Sequence, residues 1–550
     1  MDDRGCFHTE PEEVSNNNCI IDVPLDFELE HRGLGYLYFS NMKKYKHKIA
    51  QYLADKNEED SYQDLLKRSV RTALELKRRN ITRDDIVMIC SYNHKNSCIP
   101  FIASTFLRVP VASLDPTLSL MDTTHLMNEV KPKIIFVVPE ALKLIETSLN
   151  ETGVDAEIVV FGNSDVYAEF SDFLQSNEKE DNFIPESVTS LRETAVIFFS
   201  SGTTGLPKGI MTSHYALVCQ AIMLKNCEMH VNAVNLTYAS LYWISAVLFL
   251  SVSILCGAGR VVCRYSNSKI TWFLIEKYKV TSLALAPTLV SDLIKGGRPD
   301  AVDTSSLLSC VVGGGSVSAT QMNQIRDLLP GTFVFLAYGQ TEVAGILTIF
   351  QLNQVSHTLA LHYKPESSGK PVAGIAYKVV DLETGKLCGP NEKGELRVKT
   401  DYVMNGYYGR DSSDSFDSDG WLRTGDIVYY DEEQCFFVVD RIKEMLKYKS
   451  WHVPPAMIEQ IIVSHPAVNR AVVIGIPNEE DGDHPMALVM VNTMFNGDVH
   501  PEDIEIFVAE RVPDRMKLRG GVKFIDSIPL TPSGKVKRRD IREMVQQGLI

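Results

Sequence analysis

Short apolar runs alternate with longer amphipathic segments over the first two thirds of the chain. The runs "DIVMICSY", "KIIFVVP", "EIVVFG", "TSLALAP" and "LSCVVGGG" are apolar at almost every position rather than at alternate positions. Such runs are typical of parallel strands that are buried on both faces. Helical patterns lie between them, and the clearest begins at Ser61, with Asp64 completing a capping box and an apolar face through Val70 and Leu74. The alternation predicts a large α/β domain.

The pattern changes near Val372. The segments "YKVVDLETGK", "GELRVKT" and "CFFVVDRIKE" are short apolar runs with turn residues between them. This spacing predicts a smaller β-rich subdomain over about residues 372–440. The last hundred or so residues favour a compact α+β unit.

One long apolar stretch has two interpretations. Residues 229–259 contain no Asp, Glu, Lys or Arg, so by length the segment could span a membrane. Asn235, Ser240 and Ser245 interrupt it, and no polybasic cluster flanks it. A buried helix with flanking strands inside the α/β core is therefore the preferred interpretation, and we expect no membrane span.

Composition narrows the function classes. A chain of 550 residues exceeds one ordinary core, so two or more domains are expected. The net charge of −15 argues against a nucleic-acid binder or a protein held to anionic lipid, since both need a basic footprint. The 11 cysteines include no C-x-x-C pair, which indicates reduced thiols. The start is acidic and polar, unlike a signal peptide, and the ending "QQGLI" is unlike a peroxisomal S-K-L address, so we expect a cytoplasmic protein. We also expect a monomer.

Residues 200–209, "SSGTTGLPKG", have the composition of a phosphate-binding loop. Glycines let backbone N–H groups approach an anion, hydroxyls add donors, and Lys208 adds positive charge. The pattern differs from the usual NTPase loop, G-x-x-x-x-G-K-[ST]. Pro207 stands in place of the second glycine, and Gly209 follows the lysine where a Mg²⁺-binding hydroxyl would be. A plain surface turn would not need this composition, so another phosphate chemistry is indicated.

Four further segments are weak signals when taken singly. In "AYGQTEVAG", the Tyr338 ring could stack on a base and Glu342 could hold Mg²⁺. In "GWLRTGDIVYYDE", Asp426 could accept two ribose hydroxyls or merely cap a turn. "DRIKEMLKYKSWHVPP" and "TPSGKVKRRDIREM", which contains Lys535, could be solvated basic surfaces.

Together and in this order, the motifs resemble the adenylate-forming, or AMP-binding, superfamily of acyl-CoA synthetases. "SSGTTGLPKG", "YGQTE", "GELRVK", "WLRTGD", "DRIKEMLKYK" and "PSGK" carry the resemblance, and "KLRGGVKFID" and "KYKSWHVPP" look most like the insect luciferase and coumarate–CoA ligase branch. The resemblance implies an AMP-binding domain over residues 1–440 and a small mobile α+β domain over residues 441–550, with a hinge near Asp440. It also implies an enzyme whose partners are a small carboxylic acid, ATP, Mg²⁺ and CoA.

In that superfamily a carboxylate attacks the α-phosphate of ATP, which gives an acyl-adenylate and pyrophosphate, and a thiol then displaces AMP. By resemblance, Lys535 bridges the carboxylate and the α-phosphate, and Lys447 enters after the small domain rotates. The loop with Lys208 grips the departing phosphates. Thr203 and Glu342 are the implied Mg²⁺ partners.

The nucleotide site implied by the resemblance draws on most of these motifs. Asp426 matches the ribose ligand, with Arg441 near it, and Tyr338, Gly314 and Gly315 match the adenine slot. The full nucleotide set is Ser200, Ser201, Gly202, Thr203, Thr204, Gly205, Gly314, Gly315, Ser316, Tyr338, Gly339, Gln340, Thr341, Asp426 and Arg441. The implied acyl pocket contains His214, Trp243 and Gly345.

Several positions depart from the family pattern. Trp243, within "LYWIS", takes the place of a common histidine, Gln220 stands where luciferases carry arginine, and Gly345 where they carry serine. Ser450 replaces the glycine of "KYKG", and Met457 replaces a glutamate. We therefore expect a remodelled acyl pocket on intact adenylation machinery.

The leading hypothesis is an AMP-forming acid–thiol ligase. One alternative is a luciferase that oxygenates its adenylate, and the loss of the pocket histidine, arginine and serine counts against it. The other is a nucleotide-binding homologue without turnover. Retention of Lys208, Lys447 and Lys535 counts against that homologue.

Overall fold

The computed structural model describes residues 19–200, 206–227, 233–449, 451–478, 480–492, 495, 498–530 and 536–550. Four of the described helices begin at a residue whose side chain caps the first turn, namely Ser61, Ser119, Asn267 and Ser318. The helix predicted at Ser61 forms, and the Ser61 and Asp64 side chains each bond the other residue's backbone N–H. Within the described residues the α-helices are α1 (Leu34–Lys44), α2 (Tyr62–Arg78), α3 (Ile99–Phe106), α4 (Leu120–Val130), α5 (Leu142–Thr152), α6 (His214–Cys227), α7 (Ile244–Cys256), α8 (Ser268–Tyr278), α9 (Pro287–Gly296), α10 (Ala319–Leu328), α11 (Val355–Tyr363), α12 (Pro455–Val463), α13 (Pro501–Ala509) and α14 (Arg538–Gln546).

The strands are short and fall into five sheets within the described residues. In chain order they are β1 (Ile20–Val23), β2 (Ile49–Leu53), β3 (Glu58–Ser61), β4 (Val87–Cys90), β5 (Val111–Leu114), β6 (Ile134–Val137), β7 (Glu157–Val160), β8 (Ala168–Glu169), β9 (Thr194–Phe199), β10 (Gly209–Ser213), β11 (Val234–Thr237), β12 (Gly259–Val262), β13 (Ser282–Leu285), β14 (Ser309–Val312), β15 (Phe333–Leu336), β16 (Tyr338–Gln340), β17 (Gly345–Ile349), β18 (Lys370–Pro371), β19 (Ile375–Val380), β20 (Gly394–Thr400), β21 (Leu422–Tyr430), β22 (Phe436–Arg441), β23 (Leu446–Tyr448), β24 (Trp451–Val453), β25 (Val468–Asn478), β26 (Gly482–Val491) and β27 (Val522–Phe524).

Two seven-stranded sheets form the large α/β part. Their orders are β10-β9-β5-β4-β6-β7-β8 and β15-β14-β13-β11-β12-β2-β3. All neighbours are parallel except the pairs β9–β10 and β2–β3. Val87 and Ile89 of β4 belong to one apolar cluster, whereas Met88 and Cys90 belong to another. The strand is therefore buried on both faces, which confirms the interpretation of the continuous apolar runs.

The region after Val372 is β-rich, as predicted. Four of its strands form an antiparallel sheet with β1 in the order β1-β19-β20-β21-β22, and β16, β17 and β18 form a smaller sheet. β1 comes from the start of the described chain and pairs with β19. The sheet therefore includes a distant strand that local pattern did not assign to it.

The last part of the chain is α+β, as expected. β24, β23, β26 and β25 are adjacent in one sheet, and β27 joins it parallel to β26. Its core includes Leu446, Ile458, Val473, Val489 and Ile504. The fold class is therefore a large N-terminal α/β part with a β-rich portion, followed by a small C-terminal α+β part.

The long apolar stretch contains α7, which packs against α1 and α6. Ten of its 13 residues are buried. Among the described residues, no helix is long and apolar enough to cross a membrane. The buried-helix interpretation is confirmed for the described residues 233–259 of this stretch.

Candidate functional site

Asp426 is the centre of a buried polar cluster that joins three of the sequence motifs. It lies on β21 opposite Arg441 of β22, because those residues pair in the antiparallel register. Its Oδ2 accepts hydrogen bonds from Tyr338 Oη and Gln340 Nε2, both at 2.6 Å. Its Oδ1 lies 3.0 Å from Arg441 Nε. The structure thus brings four predicted nucleotide residues into direct contact.

The surroundings of Asp426 shift the pKa values of two of its partners, Tyr338 and Arg441. Burial, reinforced by the Asp426 charge, raises the pKa of Tyr338 well above its usual range, so its hydroxyl remains a donor. The Asp426 carboxylate in turn raises the pKa of Arg441. Three donors occupy most of the roughly four lone-pair sites of a carboxylate. A bound diol would compete with one of these donors, and Arg441, whose side chain is 44% exposed, is the most accessible of them.

Glu342 and Lys208 both lie near Tyr407. Glu342 belongs to the 3₁₀ turn Thr341–Val343, and its carbonyl accepts a hydrogen bond from Met404 N at 2.8 Å. Tyr407 Oη lies 3.5 Å from Glu342 Oε1, and Lys208 Nζ lies 4.9 Å from the centre of the Tyr407 ring. Sequence reasoning missed Tyr407. The "NGYYGR" loop gives no local signal of these partners.

The phosphate-type loop connects β9 to β10 at the edge of the first sheet. Ser200 N donates to Lys208 O, and Lys208 N donates to Ser200 Oγ, both at 2.9 Å, so the two ends of the loop close on each other. The remaining predicted loop residues lie outside the described residues: Ser201, Gly202, Thr203, Thr204 and Gly205.

The glycine-rich segment after β14 lies beside the residue that links β15 to the Tyr338 strand, since β14 and β15 are parallel neighbours and Ala337 N donates to Val312 O at 2.9 Å. Gly314, Gly315 and Ser316 are exposed there, and Gly314 has φ +90°. Ligand crevices of open α/β sheets commonly lie outside the carboxyl ends of parallel strands. Gly339 is required sterically, since a Cβ at this position would overlap the Gly345 carbonyl. Adenine binding by these residues stays a prediction.

His214 and Trp243 occupy different environments. His214 begins α6 and is buried, and its Nδ1 accepts a hydrogen bond from Leu34 N at 3.2 Å. Burial lowers its pKa to about 4, so the ring is neutral near pH 7. Trp243 precedes α7, is half-buried, and packs edge-to-face on Tyr242 with ring centres 4.8 Å apart. Their membership of an acyl pocket stays a prediction.

Gln220 has a role that sequence reasoning missed. Its side chain is fully buried on α6, where Nε2 donates to Ile346 O at 2.9 Å and to Val343 O at 3.3 Å. Its Oε1 accepts from Ile346 N at 3.1 Å. The residue that replaces the luciferase arginine therefore fixes the turn that carries Glu342. A polar residue within an apolar helix was the only available signal.

Gly345 lies on the same turn with φ +136°, a conformation that strongly favours glycine. A Cβ at this position would lie 2.5 Å from Leu248 Cδ1. Leu248 of α7 therefore packs so closely against position 345 that it leaves no room for a side chain there.

Asp440 joins β22 to the start of α12. Its Oδ1 accepts from Arg441 N at 2.8 Å and its Oδ2 from Ala456 N at 3.2 Å. Burial nevertheless raises its pKa to about 6, since desolvation outweighs these hydrogen bonds. The predicted hinge position is thus a buried carboxyl group between two parts of the chain.

The two lysines assigned to the small domain differ in what the structure describes. Lys447 lies on β23 with an exposed side chain, and its backbone N donates to Asp483 Oδ2 at 2.9 Å. Lys535 lies outside the described residues. Among the described residues, no cluster of three His, Cys, Asp or Glu side chains could hold a metal ion by itself.

Comparison with known proteins agrees with the motif-based resemblance. The family model described as AMP-binding enzyme matches residues 39–408, and the AMP-binding enzyme C-terminal domain matches residues 457–535. Luciferin 4-monooxygenase of Photuris pensylvanica is 33% identical over 513 residues, covering 91% of this chain and 92% of its own. 4-Coumarate–CoA ligase-like 9 of Arabidopsis thaliana is 28% identical over 513 residues, covering 90% and 87%. The solved structure of the luciferase-like enzyme from the nonluminescent Zophobas morio mealworm is 38% identical with a TM-score of 0.73, covering 78% of this chain and 99% of that one.

Proposed function

The chain belongs to the AMP-binding enzyme family, whose members form adenylates, and from that premise we propose that it is an acid–thiol ligase. The reaction would activate a small carboxylic acid with ATP to an acyl-adenylate and transfer the acyl group to CoA. The observation that carries this proposal is the contact of Tyr338, Gln340 and Arg441 around Asp426. A fixed carboxylate beside an aromatic ring suits a ribose and its base.

The first half-reaction brings an anionic carboxylate towards an anionic triphosphate, so positive charge must be placed there. In our proposal Asp426 accepts ribose hydroxyls and Tyr338 borders the adenine. Lys208 reaches the leaving phosphates and Lys535 the α-phosphate. The Glu342 carboxylate fits a magnesium ligand, because Mg²⁺ in nucleotide sites commonly takes one or two carboxylates together with phosphate oxygens. When bound, Mg²⁺ would supply further neutralisation of the phosphate charge.

The second half-reaction requires a different set of groups at the same adenylate. We propose that the parts 1–440 and 441–550 reorient about Asp440 and that Lys447 then approaches the site. The exposure of Lys447 and the hydrogen bond from Ala456 N of α12 to Asp440 on β22 support this assignment. Conformational steps of this kind gate many enzyme cycles.

Oxygenation of a luciferyl adenylate is the second candidate function, because a luciferin 4-monooxygenase is 33% identical. The pocket departures favour thiol transfer. Gln220 uses both amide atoms on the turn backbone, and Trp243 cannot abstract a proton as histidine can. The 28% identical coumarate–CoA ligase relative also supports the proposal.

One experiment separates these functions. The protein is incubated with ATP, Mg²⁺ and a panel of carboxylic acids, with and without CoA, while pyrophosphate, thioester mass and light with luciferin are measured. Acid-dependent release of pyrophosphate together with thioester formation supports the ligase. Light emission with luciferin supports the oxygenase. Binding of ATP without release of pyrophosphate indicates a homologue that has lost turnover. Glu342→Gln should reduce pyrophosphate release by about 10²-fold or more. The exposed-turn control Glu383→Gln should not.

A further inference from the structure

The peptide bond between Lys208 and Gly209 is held on both sides. Lys208 O accepts from Ser200 N at 2.9 Å, and Gly209 N donates to Glu129 Oε1 at 2.8 Å. Glu129 lies near the end of α4, and its side chain is only 8% exposed. A buried carboxylate from helix α4 thus binds the backbone next to the candidate phosphate lysine.

The other oxygen of Glu129 binds a residue from the β-rich part of the chain. Glu129 Oε2 lies 2.6 Å from Arg410 Nη2. The backbone next to Arg410 also pairs with β10. Tyr408 N donates to Gly209 O at 2.8 Å, and Tyr407 forms an antiparallel bridge with Ile210. Charge-assisted hydrogen bonds are about twice as strong as neutral ones, so the Glu129–Arg410 pair reinforces the backbone contacts between these segments.

His125 is a third side chain that contacts the end of the phosphate-type loop. His125 precedes Glu129 by one turn of α4, and its Nε2 lies 3.0 Å from Pro207 O. The same nitrogen lies 3.3 Å from Arg410 Nη2, so with its proton it donates to Pro207 O and without its proton it accepts from Arg410. Side chains of α4 and of residues 407–410 therefore hold residues 207–209 from two directions.

We propose that Glu129 and Arg410 are positioning residues for Lys208, an inference that rests on the proposed function. The ion pair fixes residues 407–410 against Gly209, and Tyr407 of that segment provides the ring beside the Lys208 ammonium. Without Arg410, the Tyr407 ring and the Lys208 backbone lose their common anchor. The reach of the ammonium towards nucleotide phosphates would then be less defined.

Limited trypsin digestion tests the anchor without requiring turnover. Trypsin cuts after lysine, and both the carbonyl and the N–H of the Lys208–Gly209 peptide are hydrogen-bonded in the structure. Arg410→Gln and Glu129→Gln should raise cleavage at this bond by about fivefold, as identified by fragment mass. Cleavage at other sites should be unchanged, apart from the site at residue 410 that Arg410→Gln removes. Arg410→Lys, which keeps the charge, should restore at least part of the protection. Uniform acceleration at every site would show a merely structural role and overturn the proposal.

Kinetics test whether the pair acts through Lys208. Arg410→Gln should raise KM for ATP about fivefold and leave KM for the acid unchanged. In a Lys208→Gln background the same change should have no further effect, because coupled residues are non-additive. The control Arg264→Gln breaks a comparable pair, with Arg264 Nη1 2.7 Å from Glu140, and should change neither readout. Additive effects of Lys208 and Arg410 would overturn the proposal. A parent protein without ATP-dependent turnover would refute the proposed function alone, and the trypsin assay would still decide the anchor.

Discussion

Replacing Asp440 by asparagine should make the protein less sensitive to pH between about pH 4 and 6. The pKa of Asp440 is raised from an ordinary value of 3.8 to about 6 by burial. The folded state therefore binds the proton more tightly than the unfolded state, and stability falls as pH rises through this range and is level above it. The pKa of Asp440 in the folded state exceeds its unfolded value by about two units, and each unit corresponds to about 1.4 kcal/mol. Ionisation of Asp440 therefore lowers the free energy of unfolding by about 3 kcal/mol.

Asparagine cannot ionise, so it removes this dependence. It also has a single acceptor oxygen, which leaves Arg441 N or Ala456 N unpaired at a constant cost of about 1–3 kcal/mol. The quantity to measure is the free energy of unfolding in urea, variant minus parent, at several pH values from 4 to 7.5. The contributions of the other carboxylates are the same in both proteins and cancel in this difference. The free energy of unfolding of the variant minus that of the parent should therefore increase by about 3 kcal/mol as pH rises.

Asp417→Asn provides a control of opposite sign. Burial opposes ionisation there, but hydrogen bonds from Lys378, the Trp421 backbone and Arg397 lower the pKa of Asp417 to about 2. Its ionised form stabilises the fold above about pH 4, and that stability is lost only as pH falls towards 2. The Asp417 variant should therefore show a constant loss over pH 4–7.5. A pH-independent difference for Asp440→Asn would refute the argument that burial controls this carboxyl group.

Four further substitutions test individual assignments. Lys535→Ala should slow acid-dependent pyrophosphate release by about 10²–10³-fold or more with ATP binding retained, and unchanged release would remove its catalytic role. Tyr338→Phe should lower the free energy of unfolding by about 1.5–3 kcal/mol, because it removes a hydrogen bond to the buried Asp426 carboxylate; equal denaturation midpoints would contradict this. Gln220→Leu should cost about 2–4 kcal/mol in the same assay by leaving buried turn backbone groups unpaired, and a neutral result would show that the turn holds itself. Trp243→His should widen the range of accepted acids with little change in ATP binding; a lower melting temperature with unaltered acid selectivity would remove Trp243 from the pocket.

The sequence by itself determined the local elements and the family. Runs such as "KIIFVVP" predicted buried parallel strands because both faces of such strands pack against apolar layers, and β6 has this environment. Ser61 and Asp64 predicted a helix start because capping depends on residues three apart. The nucleotide motifs identified Tyr338, Asp426 and Arg441 without showing that these residues touch.

The tertiary structure decided which distant groups meet. Asp426 finds its partners through the register of β21 with β22 and the approach of β16, and β1 joins a sheet whose other strands lie far along the chain. Gln220 and Glu129 each bind backbone groups on another element. The sequence around a single polar residue in a helix does not show which distant group it will bind. Local pattern reflects the burial of each face and the capping of each end. Long-range hydrogen bonds depend on sheet register and helix packing, which arise only when the whole chain is folded.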